Sequence, residues 1–177
     1  NFKGGAFMRY RVGDMFRCLS LSNPEDGLDL PEFRFIDRVP PIIDISGFTR
    51  ITERTVEDAI RLSRLDISDW FACKQFDRGK RAFMHLFVEL DTSKSDVAFS
   101  KELITEQLGI YFRYVDSDYK DLRRMLGIDP LKITILPPGT IASYNRTRTK
   151  PIRRINPGHY AVTDILRMHR PREEEEL

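Results

Sequence analysis

Three stretches, Tyr10-Arg-Val-Gly-Asp14, Pro31-Glu-Phe33-Arg-Phe35-Ile-Asp-Arg38 and Ile43-Asp-Ile-Ser-Gly47-Phe48, decide how this chain is read. They combine a compact Gly-Asp turn, an arginine closing a strand, and a Gly-Phe pair leading toward a helix. Between the first two, Asn23-Pro-Glu-Asp-Gly27 offers preset and positive backbone angles, so Phe7 to Leu21 and Glu32 to Ile36 are expected to pair as a hairpin. Val39-Pro40-Pro41 then interrupts, because each proline lacks an amide hydrogen and restricts the residue before it. A boundary is expected there, with residues 1–39 forming a terminal hairpin and residues 40–177 a separate α+β domain.

Working outward, Thr55-Val-Glu-Asp58 has the spacing of a capping box, and Val56, Ala59 and Ile60 give the following helix an apolar stripe. Ile67 to Phe76 and Ala82 to Leu90 read as paired strands around Asp77-Arg-Gly79-Lys80, with Ala82, Met84, Leu86, Val88 and Leu90 on one face. Ser100 can cap a further helix, whose stripe Ile104, Leu108, Tyr111 and Val115 continues through Tyr119, Leu122 and Leu126. Leu131 to Leu136 is a short strand stopped by Pro137-Pro138-Gly139. A basic loop from Asn145 to Arg154, a helix from Tyr160 to His169 and an acidic end, Glu173 to Glu176, complete the chain. Strands and helices alternate after Pro41 with a hairpin among them, which predicts an α+β fold with its own core.

Composition narrows the function classes. A chain of 177 residues with 41% hydrophobic side chains can bury a real core. The 29 basic and 27 acidic side chains leave a net charge of +2, too balanced for bulk nucleic-acid affinity. Cys18 and Cys73 show no metal spacing and fit two reduced thiols in a cytoplasmic protein. No apolar run reaches the roughly 20 residues of a membrane span. His85, His159 and His169 lack partners at zinc-ligand spacing, and no Gly-x-Ser-x-Gly elbow supports a hydrolase. The first residue, Asn1, and the Gly-rich opening fit an excised fragment.

The order of the opening motifs resembles the acyl-acid amido synthetases, the plant auxin- and jasmonate-conjugating family with its bacterial relatives. That family shows Tyr-Arg-x-Gly-Asp followed by Pro-x-Phe-x-Phe-x-x-Arg. The run Asp129-Pro-Leu-Lys-Ile-Thr-Ile-Leu-Pro-Pro-Gly139-Thr140 is similar to the family's Pro-Leu, strand, Pro-Gly-Thr segment, so the likeness covers nearly the whole chain. The resemblance implies the last hairpin of a large N-terminal adenylation domain, then a small C-terminal lid. It implies an enzyme that uses ATP with Mg2+ to adenylate a small carboxylic acid and then joins it to an amino acid. The chain alone, without the N-terminal adenylation domain, is expected to be inactive.

The same resemblance assigns residues. Asp14 would hold the ribose diol, Arg38 would steady ribose or phosphate oxygens, Gly47 would line the site after lid rotation, and Lys150 would bridge carboxylate and α-phosphate in the adenylation transition state. Each has a plainer reading: a turn-capping aspartate, a surface ion pair, a simple turn, a solvated basic loop. The family's Gln-Tyr-Lys-Thr-Pro-Arg ending is matched loosely, since Pro151 directly follows Lys150, and aligning on Tyr144 instead would select Asn145 or Arg146. Asp44 stands where coenzyme A-using relatives often carry lysine, which favours an amine acceptor over coenzyme A. Two alternatives stay open: the lid of a phenylacetate-type coenzyme A ligase, and a noncatalytic partner- or RNA-binding module. The last requires Arg146, Arg148, Lys150, Arg153 and Arg154 to form one exposed basic face.

Overall fold

Alternation along Ala82–Leu90 (β6) sets the architecture of the larger unit. Ala82, Met84, Leu86 and Val88 are buried toward one face, and Phe83, Phe87 and Glu89 toward the other. A strand covered on both faces belongs inside a sheet. In the computed structural model, which describes residues 14–22, 27, 29–38, 41–91, 100–127 and 130–168, β6 is the central strand of three. It pairs antiparallel with β5 (Ile67–Phe76) and parallel with β7 (Leu131–Leu136). The turn between β5 and β6 is held by Asp77, whose carboxylate accepts the Arg81 backbone N–H at 2.9 Å and its Nε–H at 2.8 Å.

Each face of this sheet carries its own core. On one, Met84, Leu86 and Val88 pack with Val56 and Ala59 of α1 (Glu53–Ser63), Ile104, Leu108 and Phe112 of α2 (Lys101–Val115), and Tyr119 and Leu122 of α3 (Ser117–Leu126). Ile43, Ile45 and Ile51 join them from a small hairpin, β3 (Ile43–Ile45) and β4 (Thr49–Ile51). The other face is smaller. There Phe71, Cys73, Phe87 and Leu136 pack against Ile141 and Tyr144 of α4 (Thr140–Arg146) and Val162 and Ile165 of α5 (His159–Arg167).

The chain divides into two compact units, Asn1–Val39 and Pro40–Leu177. In the first, β1 (Asp14–Ser20) pairs antiparallel with β2 (Glu32–Arg38). Phe16 meets Phe33 and Phe35 edge-on at 6.5 and 5.9 Å, yet the three rings remain 55%, 58% and 47% exposed. A two-stranded ribbon cannot bury such side chains on its own.

Several expectations are met: the first hairpin, the β5–β6 pair, the Ser100 cap, which accepts the Leu103 N–H at 3.2 Å, and the β7 strand. Others are corrected. The capping box lies at Thr52 and Thr55, not Thr55 and Asp58; each threonine hydroxyl accepts the other's backbone N–H at 3.3 Å. Asp58 instead pairs with Arg61 at 2.7 Å along the helix. The continuous stripe from Ile104 to Leu126 is broken at Asp116, which leaves the helix and caps α3 by accepting the Tyr119 N–H. The basic loop begins later than expected, because Asn145 and Arg146 complete α4. The expected strand segment Phe7 to Gly13, the turn residues Asn23 to Asp26, Pro40 and the acidic end at Glu173 to Glu176 lie outside the described residues.

Candidate functional site

Asp14 opens β1 and Arg38 closes β2, and the antiparallel register sets the two directly opposite each other. A bend in register between Met15 and Phe16 follows at once. Bulges of this kind re-aim side chains at sheet ends. The hairpin thus sets an aspartate and an arginine position opposite each other at one end. The Asp14 side chain is half-buried; the Arg38 side chain lies outside the described residues.

Gly47 occupies the β3–β4 turn. Ser46 and Gly47 both have positive φ, 58° and 71°, and the Phe48 N–H donates to the Ile45 carbonyl at 3.1 Å. Left-handed angles at both central positions match the twist of a tight hairpin, which accounts for the glycine. A Cβ there would meet nothing within 4 Å, so the backbone conformation and not crowding selects it. Asp44 is buried in β3.

Lys150 is exposed on the loop after α4. Its surroundings are tied down. The Asn145 Oδ1 accepts the Ile152 N–H at 2.8 Å, closing the loop, and Thr147 donates its hydroxyl to the Tyr144 carbonyl at 2.7 Å. Arg148 pairs with Asp164 at 2.7 Å and lies 5.2 Å from the Tyr144 ring centre. Arg154 bonds Asp69 and the Trp70 carbonyl and sits over the Trp70 indole. Arg146 donates to Ser143. Two of the five cations that an RNA-binding face needs are therefore committed to carboxylates, while Lys150 has no ion pair among the described residues. The start of α4, the helix that leads into the loop, is fixed as well: buried Glu89 on β6 accepts the N–H groups of Gly139, at 2.7 Å, and Ile141.

No protein-family model and no curated protein sequence matches this chain. Solved structures do. The acyl acid amido synthetase GH3.15 superposes with a TM-score of 0.56 at 17% identity, over 90% of this chain and 30% of that chain. A structure named AtGH3.15 acyl acid amido synthetase in complex with 2,4-DB gives 0.53 at 18% identity, with the same coverage. The fold is that seen in part of an acyl acid amido synthetase. The chain spans 30% of the length of those enzymes. A domain of phenylacetate-coenzyme A ligase from Bacteroides vulgatus is also similar, at a TM-score of 0.37 and 15% identity over 56% of this chain, too low to carry an argument.

A cleft of about 450 Å³ is lined by Arg113, Lys120, Asp121 and Arg124. Burial pushes the Cys73 thiol up to about 11, so it is protonated near neutrality and a poor nucleophile. On the α4–α5 face of the sheet, His85 Nδ1 lies 2.9 Å from Gln75 Oε1 and Nε2 2.8 Å from Thr134 Oγ1, with the ring stacked on Phe87 at 4.1 Å. Desolvation, then the charges of Lys101 and Lys132, lower its pKa to about 4. The unfolded chain, with a histidine near 6.5, binds the proton first as pH falls. Stability should therefore be full above about pH 6.5 and decline as pH drops toward about 4. Thermal midpoints measured between pH 7 and 4.5 should fall more steeply for the wild type than for His85→Gln; parallel curves would contradict this.

Sequence reading missed Glu89, which holds the start of α4, and Asn156, which holds the end of the loop, and it named Asn145 only as an alternative catalytic position. The cluster Asn156-Pro157-Gly158 was the available signal, since asparagine tolerates left-handed backbone and often starts a turn.

Proposed function

We propose that this chain is the C-terminal part of an ATP-dependent acid–amino acid ligase, comprising the last hairpin of an adenylation domain, residues 1–39, and a mobile lid, residues 40–177. The observation that carries the reading is the fold likeness to acyl acid amido synthetases across 90% of the chain, joined to motifs in the same order along it. On this reading a carboxylic acid and ATP give an acyl adenylate and pyrophosphate, and an amino acid's amine then displaces AMP. Asp14 accepts hydrogen bonds from the ribose diol. Arg38 donates to ribose or phosphate oxygens from the facing strand. Lys150, a mobile point charge on a loop clamped at its base, neutralises oxygens that gain charge during adenylation. Gly47 brings a bare backbone turn to the site in the second half-reaction.

Magnesium would accompany the triphosphate. Among the described residues no group of three His, Cys, Asp or Glu side chains is placed to hold a metal. The N-terminal adenylation domain of the same protein is the partner that supplies the remaining acid and phosphate pocket, which makes this chain alone inactive. No helix among the described residues is long and apolar enough to cross a membrane.

The test is acid-dependent exchange of labelled pyrophosphate into ATP by the protein carrying its N-terminal domain, followed by acceptor profiling. Exchange with a panel of carboxylic acids, and an amide product with amino acids, is the expected result. Thioester formation with coenzyme A in place of amide would move the assignment to a coenzyme A ligase. No exchange with any acid would remove the adenylation reading.

A further inference from the structure

We infer that Asn156 is the positioning residue that fixes the Lys150 loop against the Gly47 hairpin. The inference rests on the reading of Lys150 and Gly47 given above and names what holds the two in place.

The geometry is specific to this side chain. β5 is an edge strand of the sheet, and the segment Arg154–Asn156 lies along its open side. Ala72 donates its N–H to the Arg154 carbonyl at 2.7 Å, and Asn156 donates its own to the Ala72 carbonyl at 2.8 Å. Ile155 between them is buried. Asn156 then takes a left-handed conformation, φ 46°, which asparagine and glycine tolerate and other residues resist. That turn sends its amide in two directions. Oδ1 accepts the Lys74 N–H at 2.9 Å, and Nδ2 donates to the Ile42 carbonyl at 2.8 Å. Ile42 immediately precedes β3, the strand that leads into the Gly47 turn.

One carboxamide thus bonds to β5 and to the root of the Gly47 hairpin, from a backbone six residues after Lys150. Upstream of Lys150 the loop is closed by Asn145 on Ile152. The upstream end of the loop is therefore tied to α4 and the downstream end to the sheet, and Asn156 alone among these ties also reaches the hairpin. A displaced charge loses transition-state contact steeply with distance, so slackening this tie should show in turnover more than in binding.

Asn156→Gly keeps the left-handed backbone and the bond to Ala72 while removing both side-chain bonds. Asn156→Asp keeps the acceptor for Lys74 and removes the donor to Ile42. In the protein with its N-terminal domain, Asn156→Gly should lower kcat for pyrophosphate exchange roughly 10- to 100-fold with KM for ATP little changed, and Asn156→Asp should fall between it and wild type. Amide hydrogen exchange should quicken at residues 42–48, at Lys74 and at residues 147–153, while Ala82–Leu90 stays protected. Lys150→Ala separates the two possible failures. If it slows exchange and neither Asn156 variant does, the positioning role is overturned and the ligase reading stands. If Lys150→Ala exchanges normally, the reading of the loop falls and the inference with it. Loosening that spreads evenly into Ala82–Leu90 would also overturn the inference, because Asn156 would then be a general stability residue.

Discussion

Lys150→Ala, made in the protein that joins this chain to its N-terminal domain, is expected to depress acid-dependent pyrophosphate exchange by about a hundredfold, the size typical of losing one preorganised electrostatic contact. That corresponds to about 2.7 kcal/mol of transition-state stabilisation. Affinity for acid and ATP should change little, because a charge that acts on oxygens gaining charge in the transition state contributes less to the ground state. Amide formation from a supplied acyl adenylate should fall much less, since on this reading the lid has rotated and the lysine has left the site. Arg153→Ala is a matched control on the same loop. Arg146→Ala is a second, and its environment sharpens the comparison: the guanidinium donates to Ser143 on its own helix. A large loss in Arg146→Ala would select the alignment on Tyr144. Normal exchange in all three variants would remove the catalytic role of the basic loop.

What the sequence made legible, and what it hid, follows from the range of the interactions involved. β6 was readable because alternation over nine residues acts within one segment, and β5 because a local Asp-x-Gly turn joins it to β6. The Ser100 cap was readable for the same reason. The β3–β4 hairpin was read only as a turn, because its strands are three residues each and their isoleucines declare themselves as strand only through burial in the shared core. Helix α4 was not recognised, and its last two residues were read as the start of the basic loop: it has seven residues, no side-chain cap of its own, and an N-terminus satisfied by Glu89, which lies 50 residues earlier. The candidate site divides similarly. Asp14 and Arg38 were found as motif residues, and the pairing register that sets them opposite each other is a property of the folded hairpin. Asn156 was invisible because its bonds span 82 and 114 residues of sequence.

The division of the sheet into two separately packed faces leads to the second large effect. Phe87 is fully buried on the α4–α5 face, where it stacks on its cross-strand partner Phe71 at 4.6 Å and on His85 at 4.1 Å. Phe87→Ala removes a ring from the smaller core, which has little else to collapse into the space. Substitutions of this kind cost roughly 3–5 kcal/mol, and in a chain of 177 residues that shifts the thermal midpoint by roughly 6–20 °C. Leu86→Ala, on the opposite face, should cost about 2–5 kcal/mol in the larger core. The two variants should differ in where they loosen the protein. Phe87→Ala should speed amide hydrogen exchange in α4 and α5 and in the Lys150 loop between them, leaving α1 and α2 close to wild type, whereas Leu86→Ala should do the reverse. If Phe87→Ala shifts the midpoint by less than about 2 °C, well below the smallest cost assigned to a buried ring, the smaller core does not hold that face. If both variants loosen all four helices alike, the two cores melt as one unit, and the Lys150 loop draws its order from the whole domain instead of from the face on which it sits.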